Sequence, residues 1–144
     1  MIKVFENQYA ELYDMSDEIP HVLFGHWRGF WQLSDKDAME ALHFPLNYVK
    51  EKNIKIMLTD YKDLEVVPEE TNQWLLDYWF PTVVANGLKA EIVLDAGELI
   101  GQISVEFMYE SVNKETGLIT PKVATIEQGK EMAKLLLEEW KNKA

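Results

Sequence analysis

Carboxylates are the most abundant reactive groups in this chain, and several fall close together. Asp35 and Asp37 flank Lys36, and Asp60 lies three residues before Asp63. Two carboxylates can share acid–base work when they are held near one substrate with unequal pKa values. Asp35 and Asp37 stand where a helix N-terminus favours negative charge, so they read as cap residues. Asp60 ends an apolar run. In open α/β sheets, ligands bind beyond the carboxyl ends of the strands. Asp60, Tyr61, Glu69, Glu70 and Thr71 would meet at such an end, as a binding site or as an ordinary strand-to-helix loop. The three histidines, His21, His26 and His43, suggest no metal site. His21 and His26 are five apart and would point to opposite faces of one strand.

Other catalytic signatures are missing from the sequence. It has no Gly-x-Ser-x-Gly elbow, phosphate loop, dinucleotide glycine fingerprint or His-Glu-x-x-His. It has no cysteine, which removes disulfides, thiolate metal ligands and a cysteine nucleophile. The expectation is a protein without catalytic residues, metal or cofactor.

The aromatic residues are more distinctive. Trp74-Leu75-Leu76-Asp77-Tyr78-Trp79-Phe80-Pro81-Thr82-Val83-Val84-Ala85 carries one charge, Asp77. A helix that is apolar nearly all round must be covered on both sides. The cover could be the domain's own core, a second copy of the chain, or an apolar ligand in a pocket lined by Trp74, Tyr78 and Trp79. Trp27 and Trp31 flank Gly29 and could pack near this helix or lie on the surface.

These residues depend on the elements that carry them. Ile2–Phe5 and Tyr9–Asp14 read as strands around a turn at Glu6-Asn7-Gln8. His21–Gly29 is a third strand. Ser34 followed by Asp37 is a capping-box signature, and Ala38, Ala41, Leu42 and Val49 then recur at helical spacing to about Lys52. Ile54–Thr59 is a strand. Pro68, Glu69 and Glu70 open a helix that runs to Asn86, with Gly87 as its stop. Ala90–Leu94 is a strand. Residues 98–112 fit helix or strand; the alternating order favours helix. Asn113–Thr120 reads as a loop, Val123–Ile126 as a short strand and Glu127–Lys141 as an amphipathic helix. Pro45 and Pro81 mark a kink or break in their helices. From residue 34 onward the order is α-β-α-β-α-β-α. This predicts a layered α/β domain with a mixed sheet of five or six strands, parallel in its later part, and about four helices.

At 144 residues the chain is one domain, 1–144. No apolar run approaches the roughly 18 residues that span a bilayer. The N-terminus turns polar too soon for a signal peptide, so the expected location is cytoplasmic. The net charge is −11, and the basic residues are thirteen lysines and Arg28. That balance disfavours nucleic acid, whose binding relies on neutralised phosphates. Residues 6–18 carry a local −5 and residues 60–70 a local −4. Such segments either keep a face solvated or dock a basic partner.

Four stretches together resemble the SpoIIAA-like fold, which includes STAS domains and Sec14-type lipid-binding domains. They are Val22–Gly29 running into the helix after Ser34, and Ile54–Asp60 followed by Tyr61-Lys62-Asp63-Leu64. The others are Trp74 with the Gly87-Leu88-Lys89 exit, and Val123-Ala124-Thr125-Ile126 before the last helix. The resemblance covers roughly residues 20–140. More narrowly, the chain resembles small bacterial STAS/Sec14-like proteins of uncharacterised function. STAS-type anti-sigma-factor antagonists keep Asp-Ser-Ser-Gly at the start of the second helix, with a phosphorylatable serine. This chain has Pro68-Glu69-Glu70-Thr71 there. A glutamate in that place either mimics a fixed phosphate or serves the helix start. The resemblance implies a non-enzymatic regulatory or protein-interaction module, with a homodimer as one form. Its Sec14 side implies instead a binder of an apolar small molecule or lipid.

Overall fold

A computed structural model describes residues 1–94 and 109–143. Six strands form one mixed sheet: β1 (Ile2–Asn7), β2 (Ala10–Asp14), β3 (Val22–Gly29), β4 (Ile56–Leu64), β5 (Ala90–Leu94) and β6 (Lys122–Val123). Among the described residues four helices accompany them. They are α1 (Lys36–Lys52), α2 (Glu69–Trp74, Leu75–Trp79 and Phe80–Ala85 in continuous succession), α3 (described over 109–116) and α4 (Ile126–Asn142). The sheet order follows the chain, β1-β2-β3-β4-β5-β6. The first three strands are antiparallel neighbours and the last four are parallel. The alternation read from residue 34 onward is therefore present.

This order decides which face each helix covers. Right-handed crossovers between parallel strands that always advance in one direction place their helices on one side. Accordingly α1, α2 and α3 share one core with Leu23, Trp27, Met57, Tyr61 and Val93 of the sheet. The opposite face holds Val22, Phe24, Ile56, Leu58, Ala90 and Ile92, covered by Ala133 and neighbouring residues of α4. Both faces of β4 and β5 are thus buried, which explains their nearly continuous apolar sequences.

Several boundaries differ from the sequence reading. The β1–β2 turn lies at Gln8-Tyr9, two residues later, because pairing extends to Asn7 opposite Ala10. The cap of α1 is Asp35, not Ser34: its side chain accepts from the backbone N–H groups of Asp37 and Ala38. Helix α1 also runs through Pro45 without ending. In α2 the change does come at the second proline: Leu75–Trp79 is a wide π turn, and Pro81 follows it. Proline withdraws a hydrogen bond to the carbonyl four residues back, which here belongs to Asp77 inside that turn. Gly87, at φ +120°, takes the stop position as read.

Strand β4 does not end near Asp60. It continues to Leu64, because β3 goes on pairing with it through Arg28–Asp63 and Gly29–Leu64. The expected loop Asn113–Thr120 is shortened, since α3 extends through residue 116. The strand read at Val123–Ile126 is reduced to Lys122–Val123: the Thr125 side chain caps α4 by accepting from Gln128 N–H, and Ile126 is already helical. Of the segment 98–112, residues 98–108 lie outside the described residues, and 109–112 are helical. No helix among the described residues is long and apolar enough to cross a membrane.

Candidate functional site

The sheet face beneath α2 contains the one buried carboxyl group among the described residues, Glu91. Glu91, the second residue of β5, is 1% exposed. Strand alternation sends Ala90 and Ile92 toward α4 and Glu91 toward α1–α3. Thr59 Oγ1 donates to Glu91 Oε2 at 2.8 Å, and Tyr61 Oη lies 3.2 Å from the same oxygen. Tyr109 of α3 approaches Glu91 Oε1, and its hydroxyl is 2.8 Å from that of Tyr61. Burial pushes the Glu91 carboxyl above its ordinary range, and the hydrogen bonds from Tyr109, Thr59 and Tyr61 only partly offset this. Burial, and then the charge that Glu91 carries once it is ionised, push both phenols well above theirs.

Aromatic rings enclose this cluster. Trp31 meets Trp27 and Tyr61 edge-on at 5.4 and 6.3 Å, and Phe80 meets Tyr109 at 5.8 Å. A cavity of about 10 Å³ lies among Trp27, Trp31, Tyr61, Trp79, Phe80 and Glu91. That is room for one water at most. The Trp27 indole leans over Gly25, where a Cβ would come within 2.6 Å of Nε1. That Nε1 is buried and has no hydrogen-bond partner among the described residues.

The second candidate surface is the outward side of α2. Thr71, Leu75, Trp79, Phe80 and Val83 face the core, and Gln73, Asp77 and Tyr78 face solvent. Tyr78 is 45% exposed. The helix is therefore covered on one side among the described residues, not on both as its composition suggested. Trp74 and Tyr78 meet at 5.5 Å, and His43 of α1 stands edge-on to both, at 5.5 and 6.3 Å. Asp77 accepts from Gln73 at 2.9 Å, and Glu69 and Glu70 are exposed at the helix start.

The residues singled out in the sequence thus divide between separate places. Asp60 and Tyr61 are successive residues of β4, so they face opposite sides of the sheet. Asp60 lies on the α4 side and is bonded by the Lys62 backbone N–H, while Tyr61 is in the buried cluster. Thr71 is buried and donates to the Trp31 carbonyl at 2.7 Å. Trp79 is buried, with its indole N–H given to the Leu42 carbonyl. Exposed Tyr78 and half-buried Trp74, which also packs against the core, form the outward patch. Glu69 and Glu70 stand beside that patch on the same helix, but the five-residue cluster at a strand end does not form. Trp27 and Trp31 are both core residues.

Glu91 and Tyr109 were not among the sequence candidates. One signal was available for Glu91: a lone acid in Ala90-Glu91-Ile92-Val93-Leu94, a strand buried on both faces. His26 is also apart from the other histidines. On the sheet face that α4 leaves open, its Nε2 lies 2.7 Å from Asp63 Oδ2, and Arg28 is 3.7 Å from Glu11. Among the described residues, no group of His, Asp and Glu is arranged to hold a metal ion. Comparison with protein-family models, curated proteins and solved structures found no match to this chain.

Proposed function

We propose that this protein is a non-enzymatic interaction module of STAS-like type without the phosphorylatable serine, and that it docks a basic partner on the outward side of α2. The observation that carries this reading is the contact of exposed His43 and Tyr78 with half-buried Trp74, with exposed Glu69, Glu70 and Asp77 on the same helix as Trp74 and Tyr78. Aromatic faces and carboxylates both attract Arg and Lys side chains. Trp and Tyr also predominate at the energetic centres of protein interfaces. The non-enzymatic part of the reading is supported by the burial of Glu91, which at 1% exposure is out of reach of a substrate in solution.

The test is capture of partners by the parent protein, by Tyr78→Ala and by the double reversal Glu69→Lys, Glu70→Lys. A partner cross-linked to α2 through a basic segment, and lost in both variants, supports the reading. Equal capture by all three proteins ends it. A homodimer through the same face belongs to this proposal, and a clean monomer in sedimentation at micromolar concentration removes that part.

A second reading, a Sec14-like binder of an apolar small molecule, is supported by the buried Trp27 N–H that has no partner among the described residues. Typical ligand sites occupy roughly 300 Å³ or more. The space beneath the π turn is about 10 Å³, so a ligand would have to part its walls. The unpartnered Trp27 N–H would then be a donor inside an apolar pocket. Native mass spectrometry of protein purified from cells tests this. No co-purifying mass, and no change in tryptophan fluorescence with lipids, would exclude it.

A further inference from the structure

Glu91, Tyr61 and Tyr109 touch one another in a closed ring. Tyr61 Oη is 3.2 Å from Glu91 Oε2 and 2.8 Å from Tyr109 Oη, and Tyr109 Oη approaches Glu91 Oε1. Each of these three contacts needs one proton between its two oxygens. The phenols supply two. The Thr59 hydroxyl proton is committed outside the ring, to Glu91 Oε2. With an ionised Glu91, one of the three contacts would set lone pair against lone pair at a site that bulk solvent does not reach. A protonated Glu91 supplies the missing proton. Glu91 then donates to Tyr109, Tyr109 to Tyr61, and Tyr61 back to the other carboxyl oxygen.

We propose that Glu91 is the neutral acid in the folded protein at neutral pH, and that its proton closes this ring as a pH-operated latch holding α3 to β4 and β5. The surroundings support it. From β4 the facing groups are Thr59 and Tyr61, and from α3 Tyr109. The walls from β3, α1 and α2 at this space are Trp27, Leu42, Leu75 and their aromatic neighbours, with no Lys, Arg or His among the described lining. A carboxylate there would be desolvated without a compensating cation, which is costly.

The sign of the pH dependence follows. The folded-state pKa is raised above the unfolded value of about 4.3. The stabilisation is therefore complete below the unfolded value and is lost as pH rises through the folded one. Folding equilibrium and protection of α3 should fall by about tenfold for each pH unit between the two values. Glu91→Gln replaces the acid proton with an amide N–H that can donate to Tyr109, so this variant should keep the ring without the pH dependence.

The first experiment follows the glutamate side-chain carboxyl carbons of labelled protein by NMR from pH 4 to 10. One resonance should keep its acid-form shift at pH 7, disappear in Glu91→Gln and move in Tyr109→Phe. If every glutamate titrates in the ordinary acidic range, the proposal is overturned, and this measurement on the parent does not depend on a variant folding. The second experiment is amide hydrogen exchange over residues 109–116. After correction for base catalysis, protection in the parent should decline with pH while Glu91→Gln stays level. Equal pH profiles in the two proteins would overturn the latch.

Discussion

Gly129 of α4 lies directly against Leu58 of β4: a Cβ at residue 129 would come within 2.6 Å of Leu58 Cδ1. Leu58 is fully buried among Val22, Ile56 and Ile92, so it has little space in which to turn aside. Gly129→Ala gains about 1 kcal/mol of helix propensity. Overpacking a filled core costs about 1–3 kcal/mol. The expected net result is a destabilised protein with a lower urea midpoint and an unchanged slope. A higher midpoint would mean that the core beneath α4 can yield.

Thr71 fastens the start of α2 to the segment after β3 through its bond to the Trp31 carbonyl. Thr71→Val keeps the shape and removes the hydroxyl. It leaves a buried carbonyl without its donor, and the expected loss is about 1–3 kcal/mol in chemical denaturation. Thr71→Ser, which keeps the hydroxyl, should recover most of it. Equal losses in both variants would assign the cost to packing.

Trp79 and Tyr78 are neighbours in sequence with opposite surroundings. Trp79 is 4% exposed and Tyr78 45%. Trp79→Ala should cost about 3–5 kcal/mol, from the void and the lost bond to Leu42. Tyr78→Ala should stay within about 1 kcal/mol of the parent. Thermal denaturation of the two variants measures the difference directly.

Asp14 gives a pH dependence opposite to that of Glu91. Burial pushes its carboxyl up, but hydrogen bonds from Ser16 and Tyr48 and the charge of Lys52 outweigh this, and its pKa lies below the ordinary value. Its contribution is present above the unfolded pKa and is lost as pH falls through the folded one. Tyr48→Phe should therefore cost about 1 kcal/mol at pH 7. The deficit relative to the parent should shrink toward pH 2. A deficit independent of pH would show that Tyr48 contributes through its ring stacking with Phe44, at 5.4 Å.

The helices and central strands were legible because their signals are local. Ala38, Ala41, Leu42 and Val49 mark the buried stripe of α1, and Ala90–Leu94 has the bounds the sequence suggested. Two kinds of feature were not local. The end of β4 depends on how far β3 accompanies it, and nothing at Asp60 records that. Which residues of α2 face inward depends on the π turn, which adds a residue to one turn and buries Trp79 and Phe80 side by side. A regular 3.6-residue period has no such step, so Trp74, Tyr78 and Trp79 read as one surface. The buried cluster joins Thr59, Tyr61, Glu91 and Tyr109 from three elements, and the register of β4 with β5 together with the packing of α3 brings them into contact.

Chain order and sheet order coincide from β1 to β6, which has a consequence for synthesis. As each segment leaves the ribosome, the strand it must join has already been made. The β1–β2–β3 meander can form first, each helix-and-strand unit can add to the growing edge, and α4 can close the remaining face last. Among the described strands none has to be threaded between two that are already paired, so an incomplete chain exposes one advancing edge at a time.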